Sequence, residues 1–139
     1  MTADALVSRQ LGPLRSHESQ AQWTLQSIAQ TEEAYKEKHG KYGALEDVAH
    51  WRQESIREAV KRAHEANADT EYMAYATFDP KVEGYDVRLN NSGDKFEVIA
   101  TPTVYRKTGR RSFYIDQTGV LRAADVGGKP ADANAPPVD

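Results

Sequence analysis

There is no cysteine anywhere in the 139-residue chain. Disulfides, thiolate zinc sites, iron–sulfur clusters and a cysteine nucleophile are excluded, and the redox compartment is left open. Long apolar runs are missing as well. No stretch approaches the roughly 20 residues that a membrane helix needs, and mean hydropathy is −0.75. Met1 to Gln10 has no basic flank followed by an apolar stretch, so it does not read as a signal peptide. An excess of one charge is absent too: 18 basic residues stand against 21 acidic ones. That balance points to neither nucleic acid nor a membrane surface. The length suits one domain, and a chain of this size buries about 68% of its unfolded surface, enough for a core without staples. These absences predict a soluble chain with a single domain.

The composition shifts twice along the chain. Residues 1 to about 66 carry helical periodicity; Glu71 to about Ala124 carries short β-rich runs broken by Gly, Asn, Asp and Pro. Beyond Ala124, Asp125 to Asp139 has almost nothing to bury and reads as a mobile tail. The spacing predicts a helix over Ser16–His39, with Ala21, Leu25, Ile28 and Tyr35 on one face and Leu14 one heptad upstream of Ala21. Gln20, Gln22, Gln26, Gln30 and Glu33 fall on the solvated side, and Glu32 and Lys36 form an i, i+4 pair. Gly40 supplies the stop. Upstream, Gly12-Pro13 is expected to interrupt, leaving Leu6, Val7 and Leu11 in a separate short turn. At about 1.5 Å per residue the helix is longer than a globule of this size needs, so it is expected to project.

A second helix is expected over Leu45–Ala66, with Trp51, Ile56, Ala59, Val60 and Ala63 as the stripe laid on the sheet. The sheet itself reads as an antiparallel meander. Its strands are Tyr72–Phe78, Gly84–Asn90, Lys95–Ala100, Arg111–Asp116 and Val120–Ala123, with Asn91-Ser-Gly-Asp94 and Gln117-Thr-Gly119 as turns. The fold class is α+β: a long N-terminal amphipathic helix packed on three or four antiparallel strands, with an extra helix between.

Candidate chemistry is thin. His64-Glu65 begins a zinc-protease pattern but lacks the second histidine four residues on. Asp47 and His50 could share a metal, yet no third ligand is evident. Ser92-x-x-Lys95 sits in a polar turn, where a buried acyl-transfer serine has no place. Gly127-Gly128-Lys129 follows no strand and precedes Pro130, unlike a phosphate loop. Asp116, Asp125 and Asp132 lack the dense spacing of a calcium loop. No cofactor is expected, calcium being the one ion their oxygens would suit. Tyr35, Tyr42, Tyr85, Phe96, Phe113 and Tyr114 read as core aromatics with hydroxyls at the rim. Arg106, Lys107, Arg110 and Arg111 put four cations into six residues, a solvated turn open to surface or partner contacts. No catalytic constellation emerges, and the expectation is a protein that is not an enzyme.

The combined order of these segments does resemble a family. Glu18, Ala21, Leu25, Ile28 and Tyr35 lie on a helix ending in Gly40-Lys-Tyr42-Gly43 and running into Leu45. Gly84-Tyr85, Phe96-Glu-Val-Ile-Ala100-Thr-Pro102 and Thr108-Gly-Arg-Arg-Ser112-Phe113-Tyr-Ile-Asp116-Gln-Thr-Gly119-Val-Leu-Arg122 follow. This looks like the globular part of bacterial type IV pilins and type II secretion pseudopilins, and the small-residue ending is similar too. The resemblance covers roughly Ser16 to Asp139 except His50 to Tyr75. It divides the chain into an N-terminal extension or expression remnant (1–15), a pilin-like domain (16–124) and a flexible tail (125–139). Met1 to Pro13 departs from the family, whose members start with a cleaved leader and an apolar helix. The expectation is a truncated ectodomain, an anchorless relative, or a split pilin whose apolar helix is a separate chain.

The resemblance implies a structural subunit of an extracellular filament, extracellular or periplasmic at the bacterial cell surface. Ala21, Leu25, Ile28 and Tyr35 would pack the helix on the sheet. The implied partners are other pilin subunits or a separate apolar helix, and the pilus or secretion machinery. A membrane is implied only through the absent N-terminal helix. The alternative is a stand-alone periplasmic or cell-surface binding module that does not polymerise.

Overall fold

A computed structural model describes residues 3–66 and 79–138, with side chains from residue 16 onward. Among them are two helices, α1 (Ala3–His39) and α2 (Leu45–Glu65), and four strands, β1 (Tyr85–Asn91), β2 (Phe96–Pro102), β3 (Ser112–Asp116) and β4 (Arg122–Ala124). The strands form one antiparallel sheet in the order β1-β2-β3-β4. The fold is therefore α+β. The strand expected over Tyr72–Phe78 lies outside the described residues.

Alternation sets the sheet's two faces. In β2, Phe96, Val98, Ala100 and Pro102 are buried while Glu97, Ile99 and Thr101 turn to the other side. Val87 pairs with Ala100, and Ala100 with Phe113, so three strands present apolar side chains to one layer. Against that layer lie Ala21, Leu25, Ile28 and Ala29 of α1, in one cluster with Val98, Phe113, Ile115, Leu121 and Ala123. The β1–β2 hairpin closes through Ser92 to Lys95, one residue later than expected, because Asn91 still pairs with Phe96.

Three expectations are corrected. First, Gly12-Pro13 does not divide α1, which runs unbroken for 37 residues, about 55 Å. Glycine and proline cost about 1 and about 3 kcal/mol in a helix interior, yet the helix continues through both. Val7, Leu11, Leu14, Glu18, Ala21, Leu25, Ile28, Glu32 and Tyr35 then follow one another at steps of four and three, a single helical register.

Second, α2 does not lie on the sheet as a packing helix. It contacts chiefly α1, through Trp51 against Tyr35 and His39, and only Val48 along it is buried. Ile56, Val60 and Ala63 are half-buried and Ala59 is exposed. Its first turn carries Glu46 and Asp47, which suit the positive end of the helix dipole.

Third, the segment after Ala124 is not a loose tail. It crosses the face of the sheet opposite α1, where Ala131 and Ala135 cover Tyr114 beside Ile99 and Ala124. Ser112 Oγ donates to the Lys129 carbonyl at 2.6 Å and Arg122 Nη1 to that of Ala135 at 2.8 Å. The Val138 amide donates to Leu121 O, also at 2.8 Å. Small side chains cover the sheet here, so hydrogen bonds to the segment's main chain do the fixing that large apolar groups do elsewhere.

Candidate functional site

Two carboxylates in the α1 register tie the helix to the rest of the domain. Near the sheet's end, Glu18 Oε1 accepts the amides of Arg110 (3.2 Å) and Arg111 (2.9 Å). Its Oε2 meets the Arg111 guanidinium at 3.3 Å through both Nε and Nη2. Next to it in the chain, His17 Nδ1 lies 2.8 Å from the Thr108 carbonyl, which can only accept, so Nδ1 carries the proton. Tyr85 completes the joint by donating its hydroxyl to the Arg111 carbonyl at 2.7 Å. Burial, with the Glu18 charge, pushes the Tyr85 phenol up, and Arg111 partly offsets the rise. A methyl group at Gly109 would fall on the Tyr85 hydroxyl, so the loop's close approach requires glycine there.

The four expected surface cations thus have different fates. Arg111 is committed to Glu18 and lies over the Phe113 ring at 5.3 Å. Arg106 sits over the Tyr105 ring at 5.6 Å, in the left-handed region at φ 69°. Arg106 and Arg110 both bear on Asp125. That carboxyl is held low first by the Tyr105 hydroxyl, then by the Gly127 amide and these two charges. Lys107 is exposed. The loop is a partly neutralised joint in which Arg106, Lys107 and Arg110 remain exposed.

At the other end of α1, Glu32 is fully buried, and its Oε1 accepts the Gly43 amide at 2.9 Å. The expected Glu32–Lys36 pair does not form. Lys36 lies 4.7 Å over the Tyr42 ring instead. Desolvation raises the Glu32 carboxyl to about 7, opposed by the Gly43 amide and reinforced by the charge of Glu33. Tyr42 donates to Glu33 Oε1 at 2.7 Å, and its phenol is pushed up to about 12 by burial and by Glu33 and Glu32.

Of the residues expected to pack helix on sheet, Ala21, Leu25 and Ile28 are fully buried against it, whereas Tyr35 is half-buried and turned to α2. Sequence reasoning missed the roles of Glu18 and Glu32. The signal was present: both stand where the four-and-three spacing calls for an apolar residue.

The outward side of α1 is unusual in another way. Trp23 is 66% exposed, and from Ser19 to Thr31 there is no charged residue. A groove of about 440 Å³ runs beside it, lined by Gln26, Gln30, Glu33, Phe96 and the turn Asp116 to Gly119. In that turn Asp116 is held low: burial alone would raise it, but the Thr118 hydroxyl and amide, the Tyr114 hydroxyl and the Arg122 charge win. A second cleft of about 360 Å³ brings Asp47 and His50 beside Tyr35, His39, Trp51 and Glu54. Among the described residues no group of three His, Asp or Glu is placed to hold a metal ion, and no helix is long and apolar enough to cross a membrane.

Compared with protein-family models, with curated proteins and with solved structures, the chain finds no match in any of the three.

Proposed function

We propose that the chain is a structural subunit of an extracellular filament of the type IV pilus or pseudopilus kind, acting by assembly and surface contacts rather than turnover. The observation that carries the reading is the length and register of α1. The helix continues 15 residues N-terminal to Glu18, about 22 Å. Val7, Leu11 and Leu14 stand there in the same register that Ala21, Leu25 and Ile28 use to bury themselves. A domain working alone gains nothing from such an overhang, whereas an assembly of helices does. The uncharged outer face with Trp23 supports the same reading, since depletion of charge around an exposed aromatic marks the core of protein interfaces. The pilin-like arrangement of helix and sheet, the bacterial cell-surface location and the absence of catalysis belong to this proposal.

The test is to shear surface filaments from the producing cells and look for the chain by mass spectrometry and immunogold labelling. The proposal expects it along the filaments, and expects Trp23→Ala to remove it from them while changing unfolding stability by less than about 0.5 kcal/mol. Recovery solely as a monomer in the soluble fraction would overturn the filament reading and favour the stand-alone binding module.

A further inference from the structure

The connection between α1 and α2 is fastened at several points. The Tyr42 amide donates to Gly93 O at 2.8 Å, Asn91 Nδ2 donates to Tyr42 O at 3.2 Å, and the Tyr42 and Phe96 rings meet edge-on at 4.7 Å. Gly43 is wedged between Tyr35 and Val48 so closely that a methyl group there would lie 2.7 Å from Tyr35 Cε1. At the centre of this junction is Glu32, with Oε1 on the Gly43 amide and Oε2 buried without a partner among the described residues.

A neutral carboxylic acid can accept that amide through its carbonyl oxygen. An ionised one leaves a charge in the core with a single donor to stabilise it. The groups facing it give no relief. On α1 the neighbour is Glu33, a like charge, and Lys36 is turned onto the Tyr42 ring. The loop offers the Tyr42 phenol, which donates to Glu33. Around Gly43 and Tyr42 the packing groups are the Tyr35 ring of α1, Val48 of α2 and Phe96 of the sheet; the acidic Glu46 and Asp47 of α2 are exposed.

We propose that Glu32 is a proton-operated latch: protonated, it holds the Gly40–Gly43 connection shut on the β1–β2 hairpin, and on losing its proton it turns to water and frees that connection. Opening loosens the start of α2 and uncovers Phe96, which also lines the groove beside α1. This device is independent of whether the chain forms filaments.

Hydrogen exchange read by NMR on the full chain tests it, with the Gly43 amide followed from pH 5.5 to 8.5, corrected for intrinsic rates and referenced to the core amide of Val98. A carboxyl near 7 when shut and near 4.5 when open predicts about a thirtyfold loss of Gly43 protection over that range. Glu32→Gln should keep its protection nearly constant. Protection in the wild type that varies less than about twofold would overturn the latch, as would an undiminished pH dependence in Glu32→Gln. If that variant does not fold, the wild-type Glu32 carboxyl is followed by carbon-13 NMR. A midpoint near 7 shared with the Gly43 amide shift supports the latch, and one near 4.5 refutes it.

Discussion

Replacing Glu18 by alanine should unfasten α1 from the 105–111 loop, and the contacts it makes there set the size of the effect. The Arg111 amide bond, 2.9 Å and partly buried, is charge-assisted; losing it costs about 1.5 kcal/mol, since little water can replace it. The Arg110 amide is exposed and finds water, so its loss adds little. The guanidinium contacts, with the Arg111 side chain 41% exposed, contribute about 0.5 kcal/mol. The total is about 2 kcal/mol. For 139 residues, an unfolding entropy of about 2.1 cal/mol/K per residue converts this into a fall in Tm of about 7 °C. Differential scanning calorimetry at two salt concentrations is the assay. Glu18→Gln retains an acceptor for the amides and should lose about half as much. Arg111→Ala, which also gives up its place over Phe113, should cost about 1 kcal/mol. A drop under about 2 °C for Glu18→Ala would refute the view that amide capture holds the joint. So would Arg111→Ala equalling it at low salt and both effects vanishing at high salt, because the ion pair alone would then be responsible.

Two further outcomes follow from the same geometry. Gly109→Ala should destabilise by about 1–3 kcal/mol in chemical denaturation, because its methyl group displaces the Tyr85 phenol; Tyr85→Phe in the same background should not restore the loss, since the ring carbons are in the way as well. Glu32 has a folded value of about 7 against 4.5 unfolded, so the native state binds the extra proton between those limits. Its contribution is fully present below pH 4.5, falls as pH rises and is lost above 7, by up to about 3 kcal/mol. Glu32→Gln should therefore match the wild type near pH 4 and exceed it in stability at pH 8, as measured by urea unfolding.

The parts of this fold that were readable share a cause. In β1 and β2, alternation of Tyr85, Val87, Leu89, Phe96 and Val98 with polar residues reports burial on one face, and burial is what a sheet imposes on sequence. Ala21, Leu25 and Ile28 report it with a helix's period. Where burial is achieved by other means the signal fades. Ala131 and Ala135 are too small to stand out, and their segment is held by Ser112 and Arg122 donating to its carbonyls, which composition does not encode. Glu18 and Glu32 break the apolar pattern because they bind backbone amides from loops 92 and 11 residues away, partners that no local spacing announces. The direction of α2 was misjudged for a related reason: its stripe of Trp51, Ile56 and Val60 is real, but periodicity says that a face is apolar and not which neighbour meets it. Of the candidate site, the basic loop was visible as charge, while the pairing that neutralises Arg111 was not.

The strap over the outer face also finishes the sheet. A short last strand such as β4 offers its free edge to any other chain that can extend beside it, and crowding copies together raises that hazard. Here the rim is occupied from within: Arg122 bridges to Pro137, and the Ala123 amide is taken by the Pro136 carbonyl. Two consecutive prolines form the new border, and neither has an amide to offer a further strand. The β4 edge is therefore hemmed by residues with no amide to offer, which blunts it against pairing with a strand of another chain.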